Sequence, residues 1–246
     1  MQSVRIPDAF LDRESFYRFD DFYNLITLQD GWTTLVADTT PTAAVIDGLG
    51  GILQLFTDTT DNNEVMVRTT WELFKPAANK HTWGAARIQY SENDTNKANV
   101  FVGFQSAMAA NVIGDNGGVV RASGSAFGIY KLDGGTVWRA HARNGSDAAP
   151  TAGTAQDSIS LTTAGGSSYQ ELEIYISPFS STQCMVKYKV DDQFLKDSSV
   201  TGTPDICHYI NYASNTEMNF GIYVKTGGGS GGETLLADWA AYAANR

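Results

Sequence analysis

Cysteine, proline and basic residues are all scarce in this sequence. Its 246 residues include 2 cysteines and 6 prolines, and 17 Lys and Arg stand against 27 Asp and Glu. Cys184 and Cys207 have no CxxC or other ligand spacing, which excludes a thiolate metal centre and a disulfide framework; two reduced, packing residues are expected, with a single bridge left open. The low proline content, beside 24 glycines and no low-complexity block, points to turns and small bulges rather than disorder. A formal net charge of −10 with no basic run repels phosphate backbones, so no nucleic-acid partner is expected. No stretch approaches the roughly 18 apolar residues of a membrane helix. The opening Met1–Phe16 carries charges throughout and has no apolar core, so no secretory signal is read there. A soluble protein made in a reducing compartment is expected.

A sustained helical period is missing too, and Met108–Val112 is read as at most one helical turn. What the chain has instead is alternation of period two, which sends successive side chains to opposite faces of a sheet. Val65, Val67, Thr69 and Trp71 share one face of Glu64–Glu72. Leu172, Ile174 and Ile176 alternate with Glu171, Glu173 and Tyr175; Cys184, Val186, Tyr188 and Val190 alternate with Gln183, Lys187 and Lys189; Met218, Phe220, Ile222 and Val224 alternate with Asn219, Tyr223 and Lys225. These four stretches read as strands with one wet face, as in antiparallel sheets. Further strands are read at Gly51–Thr57, Ala85–Tyr90, Ala98–Phe104, Ala126–Lys131, Thr136–Ala142 and Glu233–Tyr242, with hairpin turns at Asp133-Gly134-Gly135 and Asp191-Asp192. The reading is an all-β, two-sheet antiparallel sandwich.

Two regions depart from the core pattern. Met1–Phe19 mixes charge with Phe10, Phe16, Tyr17 and Phe19 and has neither period. It is read either as a strand across the sandwich or as an arm that docks on a partner, with those four aromatics as the contact residues. Asn144–Ser168 reads as a long surface loop around a short strand at Ser158–Leu161. The division is an arm over residues 1–18 and a sandwich domain over 19–246.

The search for chemistry yields little. Glu171 and Glu173 point to one face, about 7 Å apart at the backbone, near the spacing a carboxylate pair needs for glycoside hydrolysis. The sandwich glucanase pattern resembles Glu-x-Asp-x-x-Glu, and here the middle Asp and last Glu are absent. The pair is therefore read as solvated strand residues and no catalytic residue is assigned. Gly228-Gly229-Ser230-Gly231-Gly232 matches a nucleophile elbow in letters only, because a strand rather than a helix follows it. His81, His141 and His208 are scattered. Oxygen-rich turns at Asp58–Glu64 and Asp115-Asn116 lack the spacing of a calcium loop and are read as polar turns. Trp71 and Trp239 lie on apolar faces and are read as core, while Trp138 has no clear place.

Several stretches, in order, resemble a family of bacteriophage structural proteins with a concanavalin-A-like (lectin/glucanase) jelly roll. They are Phe19-Asp20-Asp21-Phe22, Thr60-Asp61-Asn62-Asn63-Glu64, Ala86-Arg87-Ile88-Gln89-Tyr90, Ala98-Asn99-Val100-Phe101-Val102-Gly103-Phe104 and Gly114-Asp115-Asn116-Gly117-Gly118. Then come Tyr130–Arg139, Thr216–Lys225, and the last strand through Asp238-Trp239 and Ala241-Tyr242. The resemblance spans roughly residues 19–246. It implies a jelly-roll sandwich acting in the virion, on the capsid exterior, as a decoration or cement protein bound to the major capsid protein. It further implies a homotrimer, no cofactor, no enzymatic activity, and synthesis in a host cytoplasm. The alternative is a carbohydrate- or host-surface-binding module of a phage appendage.

Overall fold

The structure, a computed structural model, describes residues 7, 15–22, 31–36, 38, 40–46, 51–115, 118, 120, 124–145, 155–212, 216–228 and 231–245. Its strands are β1 (Ser15–Asp20), β2 (Trp32–Val36), β3 (Thr42–Ile46), β4 (Ile52–Phe56), β5 (Glu64–Thr69) and β6 (Thr82–Ser91). There follow β7 (Ala98–Gln105), β8 (Ala126–Lys131), β9 (Val137–Arg143), β10 (Ala155–Thr163) and β11 (Gln170–Pro178). The last are β12 (Gln183–Val190), β13 (Gln193–Phe194), β14 (Cys207–Asn211), β15 (Asn219–Thr226) and β16 (Thr234–Asn245). The described residues include no helix, Met108–Val112 among them.

The strands form two antiparallel sheets. Sheet A runs β13-β12-β11-β6-β16-β4-β3, with β1 also on β16 and β14 also on β12; sheet B runs β10-β9-β8-β7-β15-β5-β2. Several neighbours are far apart in sequence, such as β6 beside β11 and β16, and β15 beside β5 and β7, and there alternation within a strand carries the fold only once a distant partner supplies the matching face. The core between the sheets takes Leu172, Ile174 and Ile176 from β11, Val65 and Val67 from β5, and Phe220, Ile222 and Val224 from β15. Phe74 sits among Phe104 and Tyr242, with ring centroids 4.8 and 5.3 Å away. Gly84 on β6 faces these rings, and a Cβ there would lie 2.6 Å from Phe104 and from Phe220. That close approach is what the missing side chain permits.

The structure decides one sequence alternative and changes two readings. First, of the two readings of Met1–Phe19 the strand holds for its described end: Ser15–Asp20 pairs along its whole length with β16, Phe16 opposite Ala244 and Phe19 opposite Ala241. Residues 1–6 and 8–14, Phe10 among them, lie outside the described residues. Second, β5 and β15 have no wet face. Met108, Val112, Ile113 and Val120 cover the outer side of sheet B and pack on Met66, Phe101, Tyr130 and Tyr223. Third, Trp71 is not core. β5 ends at Thr69, and Trp71 beyond it is 65% exposed.

The cover on sheet B is fastened by charge. Lys225 Nζ, fully buried, bonds Asp115 and the Asn111 side-chain oxygen (3.0 Å) and lies 3.9 Å from the buried Glu64. Glu64 accepts the Tyr223 hydroxyl at 2.5 Å and the Asn111 N–H at 2.6 Å. With sheet B capped in this way, sheet A keeps the outer face on which polar and aromatic side chains gather.

Candidate functional site

Pairing across sheet A aligns its outward side chains in rows. One row runs Phe19 (β1), Ala241 (β16), Ala85 (β6), Glu173 (β11), Lys189 (β12) and Phe194 (β13). The next runs Tyr17, Ala243, Trp83, Tyr175 and Lys187. A third brings Trp239, Arg87 and Glu171 together. Small alanines in the middle of these rows leave room for the two indoles. Trp83, Ala85, Trp239, Ala241 and Ala243 form one buried cluster with Tyr175 packed against it.

Trp239 reaches this face through a bulge. Leu235 and Ala237 point into the core, the register of β16 on β6 shifts between Ala237 and Trp239, and Ala240, Tyr242 and Ala244 then take over the inward positions. The extra residue inverts the alternation, so Trp239 is buried as expected, but in the small cluster on the outer side of sheet A and not between the sheets. Asp238, at the bulge, pairs with Arg87.

The two glutamates are not ordinary solvated residues. Glu173 is 4% exposed and accepts the Trp83 indole N–H at 3.1 Å and the Tyr175 hydroxyl. Glu171 is half-buried; burial first, then the charges of Glu173, Asp192 and Asp191, push its carboxyl up to about 7, against the opposing pull of Arg87. The Glu171 carboxyl, raised to about 7, thus stands beside a second carboxylate that two donors hold in place. Lys189 lies over the Tyr175 and Phe194 rings at 5.4 and 5.2 Å.

The four aromatics expected to bind a partner separate. Phe16 turns inward against Phe74 (5.9 Å) and Tyr242 (6.3 Å). Tyr17 and Phe19 turn outward, 38% and 40% exposed, with Phe19 at 5.9 Å from Trp239. They extend the Trp83–Trp239 cluster to the edge of the sheet.

Elsewhere the candidates fall away. Asp58 spends its oxygens on the Thr60 N–H and the Asn63 amide, which is turn chemistry, and Asp115 pairs with the buried Lys225. Asn116, Gly229 and Ser230 lie outside the described residues. Cys184 and Cys207 are both free; β14 sets them three positions out of register, Cys184 opposite Ile210 and Cys207 opposite Lys187. Trp138 is buried, its indole N–H on the Gln170 side-chain oxygen at 2.8 Å. Sequence reading missed the grouping of Trp83, Trp239, Tyr175 and Glu173 on one face, because no local period signals pairing across such distances.

No family model and no curated protein sequence matches the chain. Solved structures do match it in fold. An endo-1,3-β-glucanase from Streptomyces sioyaensis is 15% identical with a TM-score of 0.60, and the match covers 99% of each chain. Peanut lectin is 10% identical with a TM-score of 0.54, over 94% of this chain and 98% of the lectin. A glycoside hydrolase family 16 endo-glucanase from Bacteroides ovatus is 9% identical with a TM-score of 0.52, over 92% and 99%. The fold is therefore the concanavalin-A-like jelly roll of lectins and glucanases. The expectation that the chain is no enzyme is corrected by the same finding: two of these three structures are glucanases, and the Glu171–Glu173 pair dismissed as solvated sits in a buried aromatic setting. At such identities the likeness speaks for fold, and the chemistry must be argued from the residues themselves.

Proposed function

We propose that the chain is a bacteriophage capsid decoration protein that docks on the major capsid protein through the outer face of sheet A. One observation carries this reading: Tyr17 and Phe19 stand side by side on an edge strand, exposed by 38% and 40%. Single exposed apolar residues are normal, but these two stand together at the rim of the buried Trp239 cluster, and adjoining exposed aromatics are a common mark of contact sites. The ordered sequence resemblance over residues 19–246 supports a place on the capsid exterior, a homotrimer and synthesis in a host cytoplasm. Binding only where assembled neighbours present a composite surface stabilises the shell and not the free subunits, and three copies around an axis add multivalency. The test is occupancy of particles by the full chain against a Tyr17→Ser, Phe19→Ser double variant. The variant is expected to bind about tenfold more weakly or worse, as for loss of aromatic anchors. Equal occupancy would remove the reading.

A second reading, engagement of a glycan on the same face, is favoured by the half-buried Glu171 and the partly exposed Tyr175, which share that face with the exposed Tyr17 and Phe19. Aromatic faces stack on sugar rings and carboxylates bond their hydroxyls, and a proton-carrying Glu171 could serve glycoside cleavage. Binding to a glycan array, or cleavage of a β-glucan, that disappears in a Glu171→Gln, Glu173→Gln double variant would establish it. Binding or cleavage unchanged in that variant would eliminate it.

A further inference from the structure

We infer that Lys225 of β15 and Asn111 of the segment over sheet B join in an intramolecular isopeptide bond, with Glu64 of β5 relaying a proton. Pairing of β5 with β15 sets Lys225 directly opposite Glu64. The covering segment closes over both, so that Lys225 is 0% and Glu64 2% exposed. Lys225 Nζ donates to the Asn111 Oδ1 at 3.0 Å, to the Ile113 carbonyl at 3.3 Å and to Asp115. A buried amine is thus held against a carboxamide. Such proximity turns a slow bimolecular aminolysis into a reaction within one molecule.

Asn111 is fixed in place. Its backbone stands at φ 60°, and its N–H donates to Glu64 at 2.6 Å. Glu64 also accepts the Tyr223 hydroxyl at 2.5 Å and lies 3.9 Å from Nζ. Burial raises the Glu64 carboxyl above its ordinary range and Asp38 adds to the rise, while the Tyr223 hydroxyl, the Asn111 N–H and Lys225 oppose it. A carboxyl raised in this way takes up and returns a proton near neutrality more readily than an exposed one. Asp115 is the other carboxylate at Nζ. Its side chain is 59% exposed, so a proton it accepts passes on to solvent.

These groups balance the reaction. Asp115 takes one proton from the Lys225 ammonium, and the freed lone pair of Nζ attacks Asn111 Cγ. Glu64 takes a second proton from Nζ and delivers it to Nδ2. The Cγ–Nδ2 bond breaks and ammonia leaves, with an Nζ–Cγ amide in its place and no change of oxidation state. Asn111 is exposed, which gives the ammonia a way out. Asp115 is the poorer target, because the charge of a carboxylate resists a nucleophile and the carboxamide carries none. The ion pair of Lys225 with Asp115 and Glu64 is the state before reaction. The bond then ties the covering segment to a strand 114 positions away.

Mass spectrometry of the full chain, incubated folded and denatured just before measurement, tests the bond. The wild type is expected to be lighter than its sequence mass by one ammonia, about 17 Da. Trypsin should release a branched peptide joining Asn111 to Lys225 and should not cut after Lys225. Asn111→Ala, at an exposed position, should fold and keep its full mass. Glu64→Gln, which keeps the shape of the side chain, should form the bond about a hundredfold more slowly or not at all. A wild type at full mass, an ammonia lost as a succinimide at another asparagine, or a water lost in a bond to Asp115 overturns the proposal. An ammonia loss kept in Asn111→Ala does the same, and bonding undiminished in Glu64→Gln overturns the part given to Glu64.

Discussion

Glu173 on β11 accepts the indole N–H of Trp83 on β6 at 3.1 Å, a diagonal contact between neighbouring strands, and it shares that carboxylate with the Tyr175 hydroxyl. Both donors are thus tied to a group that is 4% exposed. Replacing Glu173 by Ala strands the buried Trp83 indole N–H and the part-buried Tyr175 hydroxyl and is expected to cost about 2–4 kcal/mol. Glu173→Gln keeps an acceptor in place and should cost about 1 kcal/mol. Urea unfolding of the two variants measures the difference; equal losses would mean the hydrogen bonds contribute nothing beyond packing.

Glu171 should give a pH signature of opposite sign to an ordinary ion-paired carboxylate. Its folded-state value is raised from 4.5 to about 7, so between those two values the folded chain holds a proton that the unfolded chain has lost. Stability therefore falls as pH rises through that window, and the ionised form is disfavoured above it. Glu171→Gln should unfold at the same temperature as the wild type near pH 4 and at a higher one near pH 8. Because Glu171 is half exposed, solvent screening holds the gain under about 1 kcal/mol. A gain at low pH instead would contradict the proposed cause.

How much of this was readable in the residues differs from strand to strand. β11 and β12 showed themselves by alternation because their outward faces stay partly wet, with Tyr175, Lys187 and Lys189 opposite Ile174, Val186 and Tyr188. β5 and β15 showed the same alternation, yet both of their faces are buried: sequence tells which residues oppose one another, and the covering segment around Met108–Val120 decides what the polar side meets. β1 and β3 gave no signal, since Phe16 and Phe19 are apolar on both faces of one and Thr42–Ile46 has no polar partner positions in the other. Trp71 continued a clean alternation past the last paired residue and was misplaced for that reason. Trp239 was rightly read as buried, but a bulge, which inverts parity and leaves no mark in composition, decides which side of the sheet buries it. The row from Phe19 to Glu173 joins residues more than a hundred positions apart and exists only in the pairing.

Lys225 is the fastening of the segment over sheet B. Fully buried, it faces Glu64, which is 2% exposed, and Asp115. Lys225→Met would leave the Glu64 carboxylate buried without its cation and is expected to cost about 3–5 kcal/mol. Adding Glu64→Gln to that variant removes the stranded charge and should recover part of the loss. Hydrogen exchange should show residues 108–115 opening first in the single variant; protection unchanged there would mean that apolar packing alone holds the segment.

His208 should govern the acid limb of stability. It is 4% exposed, with Nδ1 2.9 Å from the Tyr188 hydroxyl and Nε2 3.1 Å from the Ser158 hydroxyl. Because Tyr188 spends its one proton on the His141 carbonyl at 3.0 Å, it accepts from Nδ1–H, while the Ser158 hydroxyl beside Nε2 is also drawn by the Asp197 carboxylate. Burial and the neighbouring His141 depress the ring from 6.5 to about 4, with Asp157 and Asp197 pulling the other way. As pH falls from 6.5 the unfolded chain takes up a proton that the folded chain refuses, so stability is lost progressively down to about pH 4. The full effect is about 3 kcal/mol. Glu171 and Glu233, both raised to about 7, gain stability over part of the same range, so the wild-type curve alone would blur the slope. The difference between wild type and His208→Gln isolates it. The variant should be less stable at pH 8 by about 1–2 kcal/mol for its altered hydrogen bonds, and this deficit should shrink and reverse as the pH approaches 4. A deficit that stays constant with pH would show that the His208 ring carries its proton in the folded and unfolded chain alike.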